Sequence, residues 1–144
     1  MTENASSARA AHDIRVAFSR LRRRLRENYG SGDLTPSQTS VLSRLDKDGE
    51  ASVSDLAALE GIRHQSIATT VGVLVDRGLA ARRPDPEDGR RQLIFVTDRG
   101  HAFLEERRRA GEGWLAQVLE TRCTEAERRT LIEAAALLER VVRR

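Results

Sequence analysis

One stretch in the middle of the chain concentrates side chains that could hydrogen-bond to another molecule. Helical spacing over residues 63–76 places six residues on a single face: Arg63, His64, Gln65, Ala68, Thr69 and Gly72. Arg and Gln can hydrogen-bond to the edges of bases, and Thr can reach a phosphate or a thymine methyl group. An ordinary solvated face usually carries Glu and Lys, and this face carries neither. We therefore expect it to contact double-stranded DNA, with a plain solvated face as the alternative.

A second group of basic residues brackets a predicted β-hairpin. Residues 79–83 are short and extended, residues 84–89 have turn chemistry, and residues 93–96 are β-branched and aromatic. A pair of arginines stands on each side of the turn, and arginine inserted into a narrow minor groove gains from its negative potential. The acidic residues of the tip repel phosphate, so we expect them to be internal partners that hold Arg83 or Arg90 in position. A plain solvated hairpin is the alternative.

Two helices ahead of the hairpin must position the DNA-contacting face. Ser52 and Asp55 predict the start of a short helix, and Gly61 predicts its end because glycine tolerates the left-handed backbone of a tight turn. Ala57 is small enough to let a second helix, over about residues 63–76, cross closely. This spacing is typical of a helix-turn-helix. The buried side of the second helix is predicted to contain Ile62, Ile67, Val71, Leu74 and Val75.

Four more helices complete a predicted order of four helices, a hairpin and two helices. The first ends at the glycine-containing residues 30–32, and the second begins at a capping box between Thr35 and Gln38. A long helix follows Thr97, and the last begins at a capping box that starts with Thr124. The predicted fold class is mainly α with a small β-hairpin wing, a winged helix-turn-helix with N- and C-terminal dimerisation helices.

The dimerisation expectation comes from the apolar stripes on the helices at the two ends of the chain. A small winged helix cannot cover both stripes, whereas a second copy related by a two-fold axis would cover them. The dimer would then carry two DNA-binding winged regions, which we call its reading heads. We expect one compact domain, with residues 1–32 and 101–144 as dimerisation helices around a winged region at residues 33–100. Two heads match a pseudo-palindromic operator with half-sites about one helical turn apart.

The composition is compatible with several classes of function, and the motifs distinguish between them better. The 144 residues carry a net charge of +3, and Lys47 is the only lysine among 25 basic residues, which suits DNA binding but also a GC-rich genome. The three histidines and Cys123 lack metal-ligand spacing, and no phosphate loop or nucleophile motif occurs, so no metal, cofactor or enzymatic activity is expected. Neither a leader nor an apolar run of about 18 residues is present, so we expect a cytoplasmic protein.

Five segments, in this order, resemble the MarR family of bacterial regulators. They are residues 34–38 (Leu-Thr-Pro-Ser-Gln), 56–57 (Leu-Ala), 76–79 (Asp-Arg-Gly-Leu), 83–90 (Arg-Pro-Asp-Pro-Glu-Asp-Gly-Arg) and 96–100 (Val-Thr-Asp-Arg-Gly). The resemblance covers about residues 34–138, and the wing segment is its most specific part. It implies a winged-helix homodimer joined through the first and last helices, whose fourth helix enters the major groove.

The resemblance also implies roles for single residues. Arg90 of the wing would reach the minor groove, and Asp88 would orient such arginine side chains. With the chemistry of the exposed helix face, this gives the expected DNA-binding set: Ser37, Arg63, His64, Gln65, Ser66, Ala68, Thr69, Thr70, Arg83, Asp88, Arg90 and Arg91. Residues 64–70 depart from the Ser-Thr-Val-Thr run more usual in the family, and Gly72 lies inside the helix, so the operator sequence is left open.

Ligand control is a further implication of the resemblance. Repression is the family default, and members often release DNA when a small anionic aromatic compound binds between the dimer helices and the reading head. Here such a pocket would be lined by residues that otherwise serve as core or solvated positions: His12, Val16, Phe18, Arg20, Tyr29 and Trp114. The peroxide-sensing branch uses a cysteine near the N-terminus, where this chain has none, and Cys123 is expected to be a small buried residue. The alternative function is a DNA-architectural or protein-binding module without an effector.

Overall fold

The structure is a computed structural model, and it describes residues 2–28 and 34–143 of the protein. Its elements follow the predicted order of four helices, a hairpin and two helices. They are α1 (Thr2–Asn28), α2 (Pro36–Asp48), α3 (Val53–Glu60), α4 (His64–Asp76), β1 (Ala80–Pro84), β2 (Gln92–Val96), α5 (Asp98–Arg122) and α6 (Glu125–Val142). The structure divides into two compact units, one of residues 31–108 and one of residues 1–30 with 109–144. We call them the winged unit and the helical unit.

Local chemistry explains where the helices begin and end. Both predicted capping boxes form, Thr35 with Gln38 at α2 and Thr124 with Glu127 at α6, and the predicted N-cap Ser52 forms a third box with Asp55 at α3. In each box a side-chain oxygen accepts from a backbone N–H that the first helical turn leaves without a partner. Gly61, with a φ of 65°, ends α3 in the left-handed conformation predicted for it.

The core of the winged unit joins its helices to its hairpin. Its buried residues come from α2, α3, α4, the hairpin with the residue before it, and the start of α5: Val41, Leu42, Leu45, Leu56, Ile67, Val71, Leu74, Leu79, Ala80, Ile94 and Leu104. Three of the five residues predicted to be buried on α4 lie in this core, and Val75 packs against its edge. The fifth prediction is wrong, because Ile62 lies in the turn before α4 and is 36% exposed.

The hairpin is attached to the helices through backbone hydrogen bonds. Strands β1 and β2 pair antiparallel, with Ala80 opposite Val96 and Pro84 opposite Gln92. On its other side β2 bonds to the connection between α2 and α3, because Ile94 donates to the Ala51 carbonyl at 2.8 Å and accepts from the Ala51 N–H at 3.1 Å. This bridge was not predicted, and it fixes the wing to the segment just ahead of α3.

The junction between the wing and α5 depends on a close backbone contact. Thr97 donates its N–H to the Leu79 carbonyl at 3.1 Å, and its hydroxyl caps the N–H of Gly100 at 3.1 Å. A Cβ built on Gly100 would lie 2.1 Å from the Leu79 carbonyl oxygen and 2.7 Å from a methyl carbon of Val96. Only glycine therefore lets α5 pass so near the strand.

The helical unit leaves much apolar surface uncovered. On α1 the side chains of Ile14, Phe18 and Leu21 are 44%, 62% and 38% exposed, at the spacing of one helix face. Helix α6 has no buried residue, and its exposed side chains include Leu131, Leu138 and others along the same helix. Across the described residues, no helix combines the length and apolar character needed to cross a bilayer.

We expect Gly100→Ala to destabilise the protein by about 2 kcal/mol or more, because the added methyl group meets backbone that cannot rotate away. Gly113→Ala is the matched control in the same helix, since nothing lies within 4 Å of a Cβ built there. That control should stabilise the protein by up to about 1 kcal/mol through helix propensity. Urea unfolding of both variants checks the prediction, and equal stabilities would contradict it.

Candidate DNA-binding surface

The exposed part of α4 lies at its N-terminal end. Arg63, His64, Gln65, Ser66 and Thr69 are exposed, whereas three other residues predicted for this face or for DNA binding, Ala68, Thr70 and Gly72, are partly buried. Arg63 occupies the N-cap position and its side chain makes no capping hydrogen bond. The free N–H groups and the positive end of the helix dipole therefore remain available to an anion.

The opposite face of α4 sets the orientation of these side chains. Ile67, Val71 and Leu74 are 0–1% exposed and pack the helix against α2, α3 and β1. The turn into α4 is held by the N–H of Ile62, which donates to the Ala57 carbonyl at 3.1 Å. The exposed residues are thus presented by a helix that is fixed along its whole inner side.

A polar clamp fixes the end of α3 one residue before this turn. The carboxylate of Glu60, whose side chain is 10% exposed, accepts from Arg44 Nε at 2.6 Å and from the Ser40 hydroxyl at 3.0 Å. The hydrogen bond to Glu60 raises the pKa of Arg44 above its usual value. The clamp was not predicted, because its partners lie 16 and 20 residues apart and no local pattern links them.

Two of the predicted wing contacts are engaged inside the protein. Arg83 donates two hydrogen bonds to Glu50, one of them from Nε at 2.7 Å. Arg91 Nη2 donates to Asp55 at 2.7 Å and to the Ser52 hydroxyl at 2.9 Å. Both guanidinium groups therefore tie the wing to the segment that leads into α3.

The acids that hold these arginines differ from those expected. The prediction placed them in the wing tip, but Glu50 and Asp55 lie outside the wing, and the one tip carboxylate nearby, Asp85, is 3.9 Å from Arg91 Nε. The reason is the bridge between β2 and Ala51, which brings the base of the wing beside the residues on either side of Ala51.

The tip acids instead shape the backbone of the turn. Asp88 accepts from the Arg90 N–H at 3.0 Å, and Asp85 accepts from the Glu87 N–H at 2.9 Å. Asp88 thus orients the backbone of Arg90 and makes no bond to its guanidinium. Within the described residues that guanidinium, like the one of Arg82, is exposed and has no partner.

Ser37, the suggested ligand-pocket residues and Cys123 lie away from α4 and the wing in the sequence. Ser37 is exposed in the first turn of α2. Five of the suggested ligand-pocket residues belong to the helical unit, where His12, Phe18 and Arg20 are exposed and Val16 and Trp114 are partly buried. Tyr29 lies outside the described residues. Cys123 is partly buried at the end of α5.

Acid is expected to weaken the attachment of the wing. Hydrogen bonds from Arg83 lower the pKa of Glu50 below its usual value of 4.5, and those from Ser52, followed by the charge of Arg91, lower the pKa of Asp55. A lowered folded-state pKa means that each pair stabilises the fold above the unfolded pKa and loses this effect as pH falls through the folded one.

The test compares thermal unfolding of the wild type with that of Glu50→Gln between about pH 3 and pH 7. We expect the variant to melt lower near neutral pH and the two curves to converge toward pH 3. Glu87→Gln is the control, because its exposed carboxylate has no partner among the described residues. A melting difference that stays constant with pH would contradict the assignment.

Comparison with known proteins agrees with this architecture. Residues 32–91 match the model of the MarR family. The chain is 37% identical over 133 residues to an HTH-type transcriptional regulator of Mycobacterium tuberculosis, covering 92% of each protein. Among solved structures, it is similar to a transcriptional regulator from Pseudomonas aeruginosa, with 29% identity, a TM-score of 0.78, and coverage of 94% of this chain and 95% of that one.

A further structure, MepR of S. aureus bound to an oligodeoxyribonucleotide, has the same fold with 18% identity and a TM-score of 0.67, over 93% of this chain and 98% of that one. The extent and identity of the mycobacterial match establish the family rather than the fold alone. The chain belongs to the MarR family of transcriptional regulators and carries its DNA-binding winged helix.

Proposed function

We propose that this regulator is a homodimeric repressor that binds a pseudo-palindromic operator and releases it when a small anionic aromatic ligand binds. DNA binding is supported above all by the exposed N-terminal face of α4, which has no acidic residue and no side-chain cap. A helix end of this kind can approach the negative backbone while Gln65 and Arg63 reach the base edges. MepR, which shares the fold, is bound to an oligodeoxyribonucleotide in its structure.

The contacts inside the wing divide its arginines into two groups. Arg83 and Arg91 are engaged with Glu50 and Asp55, so we assign them to positioning the wing. The guanidinium of Arg90 has no such partner, and the backbone of its turn is fixed by Asp88. Arg82 also lacks a partner but lies in strand β1, whereas Arg90 lies in the turn and has the role that the family resemblance implies. Arg90 is therefore the wing side chain that we propose to enter the minor groove, where a narrow groove favours a guanidinium.

Dimerisation is proposed from the uncovered apolar faces. Phe18 is the most exposed side chain of the α1 stripe, at 62%. Its burial against a second copy would remove a large apolar surface from water and so favour association. Helix α6 presents a second row, of which Leu131 is 47% and Leu138 is 40% exposed. A second copy that covers both rows would place two α4 helices on one DNA duplex, which is the arrangement a palindromic site requires.

Ligand release rests on the family resemblance together with the residue types in the helical unit. His12 and Arg20 could neutralise an anion, and Phe18 and Trp114 could pack against an aromatic ring. Titration of the DNA complex with salicylate-like compounds should release the DNA. Binding that is indifferent to every such compound would count against this part of the proposal.

Operator recognition is tested with the DNA upstream of the protein's own gene and unrelated DNA of equal length, at about 150 mM salt. We expect the upstream DNA to bind about 10³-fold more tightly or better. Gln65→Ala and Arg90→Ala should each reduce that preference by about 5- to 150-fold, which corresponds to the removal of one base-specific interaction.

Arg82→Ala is the charge-matched control, and it should leave the preference unchanged. Arg90→Ala should also keep the stability of the wild type within about 0.5 kcal/mol, since its side chain has no partner in the described structure. Equal binding of both DNAs by the wild type would favour the architectural module, and no binding at all would favour the protein-binding module.

Dimerisation is tested by placing a charge on the exposed stripe of α1. Phe18→Glu should shift the equilibrium toward monomer by about tenfold or more, because a carboxylate would have to be buried at the interface. Leu59→Glu is the control, since Leu59 is 56% exposed but belongs to the winged unit. Sedimentation equilibrium measures both variants, and a Phe18→Glu protein that remains as dimeric as the control would exclude this interface.

A further inference from the structure

The two units of the chain differ in the sign of their charge. Residues 31–108 contain 11 Lys or Arg and 13 Asp or Glu, a formal net charge of −2. The other residues contain 14 Lys or Arg and 9 Asp or Glu, a formal net charge of +5. Attraction to DNA depends mainly on neutralising phosphates, so the net charge of the winged unit has the wrong sign for that task.

Most of the positive excess lies on α1. Residues 15–26 contain six arginines and no acidic residue. Arg24 pairs with Glu27 at 2.8 Å. The others are exposed and, within the described residues, have no hydrogen-bond or ion-pair partner: Arg15, Arg20, Arg22, Arg23 and Arg26.

Three of these unpaired side chains share one face of α1. The spacings of seven and four residues align Arg15, Arg22 and Arg26, and we call this set the basic column. It extends for about 16 Å along the helix. The basic column runs beside the apolar stripe of Ile14 and Phe18, since Phe18 and Arg22 are four residues apart and the two rows are centred about 90° apart around the helix. A second copy that covers the stripe can therefore leave the far edge of the column, at Arg15 and Arg26, uncovered.

Like charges four residues apart, such as Arg22 and Arg26, destabilise an isolated helix. An anion that lies along the column relieves this repulsion. Guanidinium groups bind phosphate in a bidentate manner, and double-stranded DNA presents one negative charge per about 1.7 Å of its axis. A polyphosphate backbone therefore suits a row of arginines better than the isolated carboxylates of a protein surface do.

We infer that the basic column of α1 is a second, sequence-independent contact for the phosphate backbone of double-stranded DNA. This inference rests on the proposed function and extends it. The winged unit selects the sequence, while α1 supplies much of the general attraction to DNA that the winged unit lacks.

The test removes two charges from the column and compares two matched variants. Arg22→Gln with Arg26→Gln is the test variant. Arg122→Gln with Arg140→Gln is the control, because it removes two exposed arginines of the same unit that also lack partners among the described residues. The affinities for operator and unrelated DNA are measured from about 50 mM to about 200 mM salt.

For the test variant we expect the slope of log K against log salt to fall in magnitude by about 0.9 for each phosphate that the protein no longer neutralises. If two phosphates are released in this way, the decline in affinity between these salt concentrations becomes about tenfold smaller. Operator and unrelated DNA should weaken by the same factor, so the preference between them is unchanged. The control should keep the wild-type slope.

An unchanged slope in the test variant would overturn the inference, and so would an equal decrease in the control. Dissociation of the dimer with an unchanged slope would assign the column to the interface between copies instead. Failure of the proposed function is a separate outcome. In that case the wild-type protein itself would bind operator and unrelated DNA equally, whatever the dependence of its affinity on salt.

Discussion

The attachment of the wing at Ile94 determines how the rest of the winged unit is arranged. This residue is fully buried, and its backbone bonds in both directions to Ala51. The bridge holds β2 beside the segment between α2 and α3, so that Glu50 and Asp55, on either side of Ala51, come within reach of the arginines of the wing. A hairpin with two strands alone is marginally stable, and this third connection gives the wing a fixed position relative to α4.

Most acidic side chains around α4 and the wing have structural partners. Glu60 accepts from Arg44 and Ser40 ahead of the turn into α4, and Glu50 and Asp55 hold the base of the wing. Internal pairing occupies the arginines involved, whereas Arg82, Arg90 and the N-terminal face of α4 stay exposed, and of these we propose Arg90 and α4 as the DNA contacts. This explains how a unit with a negative net charge can still carry a DNA-binding face.

Specificity and attraction are therefore assigned to different parts of the chain in our proposals. Hydrogen bonds from Gln65 and Arg90 distinguish sequences only at short range, whereas the arginines of α1 act through a field that extends over about 10 Å at ordinary salt. In the same proposals the apolar stripes of α1 and α6 have a third role, since a second copy that covered them would bring two winged units onto one site.

The sequence alone determined the features that depend on residues three or four positions apart. The capping boxes at Thr35, Ser52 and Thr124, and the left-handed turn at Gly61, follow from such local chemistry, and the helix and strand order follows from them and from hydrophobic periodicity. Tertiary structure decided which charges meet. The partners of Arg83 and Arg91 lie 33 and 36 residues away, and only the packing of the hairpin against α3 brings them together.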